Sequence, residues 1–167
     1  MEKNKLNIMK SHFFAFMIVV FLLLASVLTG CAGDNEDIGN PPVITSGGYL
    51  RIPFSSVSEI VAFFPAIVNG TLMEVVVVQA SDGTIRTAFN TCENCHRSGR
   101  GYYIQEGNAL ICQQCQMAFE LDMVGLISGG CQPIPIFENS RTYSNNYIEI
   151  SYQFLSENTH WFLQWRN

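Results

Sequence analysis

The chain has 167 residues, of which 48% are hydrophobic and 14% are charged, and its formal net charge at pH 7 is −5. All three lysines lie in the first ten residues, so the part after residue 30 carries six arginines against thirteen carboxylates, a net charge of −7. Binding to nucleic acid requires a basic surface. The composition therefore excludes nucleic acid as a partner.

The N-terminal segment is typical of a bacterial lipoprotein signal peptide. Lys3, Lys5 and Lys10 precede an apolar run over residues 13–25, which is shorter than the roughly 20 residues of a membrane-spanning helix. Residues 27–31 read VLTGC and resemble the lipobox, where a peptidase cuts before the cysteine and a diacylglycerol is added to its sulfur. The alternative is an uncleaved anchor with a chance cysteine. Both alternatives place the rest of the chain outside the cytoplasm, and lipidation of Cys31 predicts attachment to the extracytoplasmic face of a bacterial cell membrane.

Composition divides the chain into three parts. Residues 1–30 are the predicted signal peptide, residues 31–48 a lipidated tether, and residues 49–167 a cysteine-rich metal-binding domain. The tether is acidic and then rich in Pro, Gly, Ser and Thr, a composition that buries little apolar surface. A domain of about 120 residues can bury a sufficient core without disulfides, so its five cysteines need another explanation.

Alternating hydrophobicity predicts a mainly β (α+β) fold, a small antiparallel domain with one or two short helices. Four strands are predicted, at residues 49–53, 72–79, 84–89 and 147–154. Two turn dipeptides, Asn69-Gly70 and Asp82-Gly83, mark hairpins.

One short helix is predicted after the first strand. Ser56 and Glu59 have the spacing of a capping box, an apolar run follows, and Pro65 would end the helix. At the other end of the chain, the aromatic residues Trp161, Phe162 and Trp165 are expected to close the core.

The strongest pattern is formed by two Cys-x-x-Cys pairs that sixteen residues separate, Cys92 with Cys95 and Cys112 with Cys115. This spacing is typical of zinc sites, because a two-residue gap forms a tight knuckle that aims two thiolates and its backbone N–H groups at one ion. Residues 101–105 and 109–111 are strand-like, so the knuckles are expected at the ends of one hairpin. The pattern predicts a zinc-ribbon or rubredoxin-like subregion with four thiolates on one ion.

The residue after the second pair departs from this pattern. Gln116 occupies the position where such knuckles usually have glycine. If the knuckle requires a positive φ there, glutamine is strained.

Other interpretations of the cysteines remain open. Two disulfides would suit an oxidising compartment, and a thiol–disulfide oxidoreductase would need Arg97 or Arg100 to lower a thiol pKa. Residues 92–96 also spell CxxCH, the attachment motif of c-type haem, with His96 as axial ligand. Thiolates suit zinc, iron and copper(I), so the ligand set does not choose the metal.

Two further residues are candidates for an auxiliary role at the site. Cys131 lies in the segment GGCQPIP and is expected near the site, as a fifth thiolate, an alternate ligand or a free buried thiol. His96 directly follows Cys95 and is expected to be an exposed side chain or a hydrogen-bond donor to a ligand.

The order and spacing of these five cysteines, with segments 82–91 and 99–103, resemble the membrane iron–sulfur-containing FtrD-like family over residues 48–165. The resemblance implies an iron or iron–sulfur centre on the two Cys-x-x-Cys pairs, with Cys131 close by. It also implies a role beside ferrous-iron uptake, with a metal-ion permease or a redox protein as partner. Gln116 and Gln132 depart from the family pattern, and the lipobox replaces the membrane helix of most members.

Two functions follow from these observations. The first is a membrane-anchored extracytoplasmic protein with an iron or iron–sulfur centre, accessory to metal-ion uptake or electron transfer. The second is an interaction module in which zinc only stabilises a β domain. Hydrolase chemistry is not predicted, because no nucleophile motif surrounds His96 or His160.

Overall fold

The structure is a computed structural model that describes residues 40–167. The predicted signal peptide and the lipidation site Cys31 lie outside these described residues. The strands, in chain order, are β1 (Val43–Ile44), β2 (Tyr49–Pro53), β3 (Ala62–Val68), β4 (Thr71–Gln79), β5 (Ile85–Cys92), β6 (Tyr103–Glu106), β7 (Ala109–Cys112), β8 (Ala118–Glu120), β9 (Pro133–Pro135), β10 (Thr142–Ser144) and β11 (Tyr147–Ser151). The α-helix α1 covers Tyr152–Glu157. Short 3-10 helices cover Phe54–Ser56, His96–Ser98, Leu121–Met123, Glu138–Ser140 and Thr159–Phe162.

These strands form three sheets, which confirms the mainly β prediction. A five-stranded sheet has the order β1-β3-β4-β5-β9, and two three-stranded sheets have the orders β10-β11-β2 and β6-β7-β8. The third of these sheets, the cysteine ribbon (β6-β7-β8), carries the second cysteine pair at the end of β7. All pairings are antiparallel except the parallel pair of β1 and β3.

Strand β4 separates two apolar cores, because its four valines alternate between the faces of the five-stranded sheet. Val75 and Val77 belong to a core shared with the sheet β10-β11-β2 and the C-terminal aromatic residues. Val76 and Val78 belong to a second core that contains Tyr103, Leu110 and two of the cysteines. The cysteine ribbon is therefore packed on one face of the five-stranded sheet.

The predicted helix after Ser56 is wrong. The chain makes one 3-10 turn at Phe54–Ser56 and then forms β3, which pairs with β4 along its whole length. The Ser56 hydroxyl donates back to the Pro53 carbonyl at 2.6 Å instead of capping a helix. Asn69 and Gly70, with φ of 52° and 76°, form the hairpin turn whose strand pairing overrides the local helix signal.

The last predicted strand is shorter than expected. Strand β11 ends at Ser151, whose hydroxyl accepts a hydrogen bond from the Phe154 N–H at 3.2 Å and caps α1. Residues 152–154 are thus helical although their hydrophobic pattern continues that of the strand. The expected aromatic closure of the core is confirmed, since Phe162 and Trp165 are buried.

The fold includes residues that composition assigned to the tether. Val43 and Ile44 form β1 beside β3, Ile44 is buried, and the Ile67 N–H donates to the Pro42 carbonyl at 2.8 Å. The predicted domain boundary at residue 49 therefore lies too late, because two apolar residues are enough to add a short edge strand. Among the helices of residues 40–167, none has the length and apolar character needed to cross a membrane.

Candidate metal centre

Four cysteine sulfurs converge at one point of the structure. The Sγ atoms of Cys92, Cys95, Cys112 and Cys115 all lie within 4.8 Å of one another. In a tetrahedral site with metal–sulfur bonds of about 2.3 Å, the sulfurs are about 3.8 Å apart. The four thiols could therefore hold one metal ion after a small contraction. All five cysteines of the described residues are free thiols, whereas the disulfide interpretation requires four of them to be paired.

The first knuckle begins where β5 leaves its sheet. The pairing of β5 with β9 shifts register between Phe89 and Cys92, and such a bulge redirects the side chains that follow it. The Cys95 N–H then donates to the Cys92 carbonyl at 3.1 Å, which closes the tight turn. Cys92 is fully buried and Cys95 is half-buried.

The second knuckle has the geometry that the sequence suggested. The Gln116 N–H donates to the Cys112 carbonyl at 2.9 Å, and Gln116 has a φ of 59°, so the condition under which glutamine is strained at this position is met. Backbone N–H groups of Cys115 and Gln114 donate to the Cys112 sulfur. The knuckle thus presents the Cys112 sulfur with some of its lone pairs already bound to the backbone.

Residues 101 and 102 join the two knuckles. The Cys92 N–H donates to the Gly101 carbonyl, and the Gln113 N–H donates to the Tyr102 carbonyl at 2.8 Å. A Cβ atom at Gly101 would lie 2.5 Å from the Cys95 carbonyl oxygen, which is far inside van der Waals contact. Only glycine fits at position 101, where the backbone passes the Cys95 carbonyl group. Gly101 therefore sets the distance between the two cysteine pairs.

The thiols differ in their electrostatics. Burial raises the pKa of the Cys95 thiol well above its usual range, and burial likewise raises the pKa of Cys112 to about 11. Burial also acts on Cys115, but hydrogen bonds from the Met117 N–H and from neighbouring thiols outweigh it and lower the pKa of Cys115. A divalent cation would favour the thiolate form of all four groups, because it replaces the repulsion among them with attraction.

Tyr103 is a residue of the site that sequence spacing did not reveal. It is fully buried, and its hydroxyl has no nitrogen or oxygen partner among the described residues. Burial and the neighbouring Cys92 sulfur both raise the pKa of the Tyr103 phenol. An unpaired buried hydroxyl is costly, and a metal-bound thiolate at Cys92 would give it an acceptor. This orphaned donor fits a site that holds a cation.

Cys131 lies at the edge of the site. It is not one of the four converging residues, but its thiol contacts Cys115, and this contact raises the pKa of Cys131. The Asn94 amide lies 3.7 Å from the Cys131 sulfur. Cys131 thus packs beside the four cysteines against the second core.

The His96 side chain is directed away from the sulfurs. Its Nδ1 donates to the Glu93 carbonyl at 2.7 Å, and its ring packs against the Trp161 ring with centroids 4.8 Å apart. The haem interpretation is not favoured, since Cys92 and Cys95 converge with the second pair. A nucleophilic thiol needs a lowered pKa; the pKa of Cys95 is raised, whereas that of Cys115 is lowered.

A β domain with four converging thiols belongs to the class of cysteine-rich, metal-site proteins. Residues 58–162 match the family described as membrane iron–sulfur-containing protein, FtrD-like, and the chain belongs to that family. The family is membrane-associated and iron–sulfur-containing by its description.

Other comparisons add little. No curated protein sequence matches this chain. Among solved structures, a crystal structure of the quaternary ammonium Rieske monooxygenase CntA with an inhibitor is similar at a TM-score of 0.45 and 15% identity, over 66% of this chain and 33% of that chain. The chain thus spans about a third of that enzyme. A likeness at this level implies nothing about the function of this chain.

Proposed function

We propose that the domain binds a single iron ion on Cys92, Cys95, Cys112 and Cys115 and serves metal-ion uptake at the membrane by transferring electrons or the ion itself. The observation that carries the proposal is the convergence of four sulfurs within 4.8 Å. Membership of an iron–sulfur family favours iron among the metals that thiolates bind.

The sulfur separation favours one ion over a cluster. In an iron–sulfur cluster the cysteines bind different irons that inorganic sulfides bridge, so sulfurs on different irons lie farther apart than sulfurs on one ion. Four sulfurs within 4.8 Å match the spacing around one ion better than the wider spacing around a cluster. The proposed iron is therefore of the rubredoxin type, with sulfur supplied only by the protein.

Exposure of the site supports exchange with a partner. Cys92 and Cys112 are buried, whereas Cys95 and Cys115 are half-buried, so a bound ion would lie close to the surface on the side of the latter two. Electron transfer and ion transfer both require such a short distance to the partner. A metal-ion permease or a redox protein is the proposed partner.

Anaerobically purified protein tests the proposal. We expect about one iron per chain, visible thiolate-to-iron absorption, reversible bleaching on reduction and no acid-labile sulfide. Cys92→Ser should abolish the colour, and His96→Ala is the matched control that should retain it, because the His96 ring lies against Trp161. Colour that survives in Cys92→Ser, or stoichiometric sulfide, would overturn the single-ion proposal.

A second candidate is a zinc-stabilised interaction module. Closed sites of four cysteines are typical of structural zinc, and the four thiols here provide such a ligand set. Protein expressed in iron-rich medium distinguishes the two functions. Stoichiometric zinc and a colourless solution would favour the module and remove electron transfer.

Membrane attachment through a lipid on Cys31 is also a proposal, supported by the lipobox sequence and the description of the family. Incorporation of a labelled fatty acid by expressing cells tests it. Cys31→Ala should lose the label and leave the membrane fraction, whereas Cys131→Ala should keep both. Label that persists in Cys31→Ala would contradict lipidation at this residue.

A further inference from the structure

We propose that Cys131 is an incoming ligand that displaces Cys115 from the bound ion and so provides the route by which the ion enters and leaves the site. This inference rests on the proposed function for the presence of an ion, but it holds for zinc as well as for iron. Cys131 packs against the same core as Cys115, its sulfur lies 3.7 Å from the amide of Asn94 in the first knuckle, and it lies outside the group of four converging sulfurs.

The two residues inside the first knuckle hold the segment that carries Cys131. The Gly129 N–H donates to the Glu93 carboxylate at 2.7 Å, and the Glu93 N–H donates to the Gln132 carbonyl at 3.1 Å. The Asn94 side-chain amide points at the Cys131 sulfur at 3.7 Å. Bonds on both sides of Cys131 therefore set its sulfur against the site.

The position of Cys131 matches the open side of the site. Cys115 is half-buried, as is Cys131, whereas Cys92 and Cys112 are buried in the second core. A Cβ atom on Gly129 or Gly130 would meet no atom within 4 Å, so the segment before Cys131 borders open space. A small movement of this segment can bring the fifth sulfur to the ion without disturbing the core.

The exchange is balanced without any further reactant. A bond from the ion to the Cys131 sulfur would form while the bond to the Cys115 sulfur would break. Because both residues are half-buried, the Cys131 thiol would release its proton to solvent and the freed Cys115 sulfur would take one up from solvent. The ion keeps its charge and four sulfur ligands throughout. In the exchanged state the ion is bound by the more exposed edge of the site, where a ligand of the receiving protein can displace Cys131.

Kinetics of metal removal by a chelator test this route. The full-length protein carrying its metal is mixed with excess EDTA, and the release rate is compared for wild type, Cys131→Ser and the control Ser128→Ala, an exposed residue of the same segment. We expect Cys131→Ser to keep one ion per chain but to release it at least about tenfold more slowly, and Ser128→Ala to release it at the wild-type rate. Release from Cys131→Ser at the wild-type rate would overturn the proposal, and so would loss of the ion at equilibrium, since Cys131 would then be a permanent ligand.

A second variant tests the positioning of Cys131. Glu93→Ala removes the acceptor of the Gly129 N–H and leaves every sulfur in place. We expect slower release than in wild type but faster than in Cys131→Ser, with unchanged metal content. A release rate equal to that of wild type would show that the hydrogen bond from the Gly129 N–H to Glu93 does not position Cys131. The release rates can be measured with zinc as well as with iron. If only the proposed metal is wrong, the order of release rates among the variants stays the same with zinc. If the exchange route is wrong, that order is lost with either metal.

Discussion

Asn90 binds both backbone polar groups of Tyr103 through its side chain. Its Oδ1 accepts from the Tyr103 N–H at 2.8 Å, and its Nδ2 donates to the Tyr103 carbonyl at 3.2 Å. Both residues are fully buried, and the Trp165 indole donates to the Asn90 carbonyl at 2.7 Å. One amide therefore links the five-stranded sheet to the cysteine ribbon, and its backbone carbonyl links the sheet to the C-terminal tail.

Replacement of Asn90 by alanine should destabilise the domain. The variant leaves the N–H and the carbonyl of Tyr103 buried without partners, at a cost of about 1–3 kcal/mol for each group. Urea unfolding of the metal-bound protein measures the loss. Asn139→Ala, at an exposed position, is the control and should change the free energy of unfolding by less than about 0.5 kcal/mol. Equal stability of the two variants would contradict the linking role of Asn90.

Gly101→Ala should prevent metal binding. The new Cβ would lie 2.5 Å from the Cys95 carbonyl oxygen and 2.8 Å from the His96 nitrogen, so the first knuckle must move away from the second. Gly107→Ala is the matched control, since a Cβ there meets nothing within 4 Å and only the φ of 58° is unfavourable. The metal content of the two purified variants tests this prediction. Retention of a full equivalent of metal by Gly101→Ala would show that the knuckle spacing tolerates this change.

Gln116→Gly should stabilise the metal-bound domain. A side chain at a φ of 59° costs about 1–2 kcal/mol, which glycine would remove. The extra conformational freedom of glycine in the unfolded chain offsets about 0.4–1 kcal/mol of this stabilisation. We expect a net gain of about 0.5–1 kcal/mol in the free energy of unfolding. Gln114→Gly, in the same knuckle but at negative φ, should instead lose stability. A loss at both positions would mean that the Gln116 side-chain bonds to the Cys112 and Gln113 carbonyls, at 3.4 and 3.3 Å, outweigh the strain.

Tyr103→Phe removes only the orphaned hydroxyl beside Cys92. Hydrogen bonds to the sulfurs of an iron centre raise its reduction potential, so the variant should have a potential lower by about 60 mV, the equivalent of about 1.4 kcal/mol for one electron. Metal-free protein should respond oppositely and become more stable, because an unpaired buried hydroxyl is removed. Tyr102→Phe is the control. An unchanged potential in Tyr103→Phe would show that the hydroxyl does not donate to the Cys92 sulfur.

Metal removal should reverse the pH dependence of stability. In metal-free protein the pKa of Cys112 is raised from 9.0 to about 11 and that of Cys95 is raised further, so the folded state binds more protons than the unfolded state at alkaline pH. Stability from these groups is present below pH 9 and is lost as pH rises towards 11. The lowered pKa of Cys115 acts in the opposite direction for one thiol.

The metal-bound protein should instead lose stability as pH falls, because protons compete with the ion for thiolates. Melting temperatures of both forms between pH 5 and pH 11 test this pair of trends. Parallel curves for the two forms would contradict metal binding by these thiols.

Local patterns predicted the parts of the fold that depend on neighbouring residues. The hairpin at Asn69-Gly70, the two knuckles and the positive φ of Gln116 all follow from short-range rules. The pairing of β3 with β4 does not, because the capping-box spacing at Ser56 carries no information about a partner strand. The contact of Asn90 with Tyr103 was missed for the same reason, since a buried asparagine leaves no periodic signal that identifies the backbone it binds.

X-ray absorption at the metal edge of the intact purified protein tests most directly whether four thiolates share one ion. We expect a single shell of four sulfurs at about 2.3 Å and no neighbouring metal, with the metal signal lost in Cys92→Ser and unchanged in His96→Ala. A metal–metal distance would reveal a cluster. A shell of nitrogen or oxygen in place of sulfur would show that the ion lies elsewhere in the chain, and either result would contradict the single-ion site.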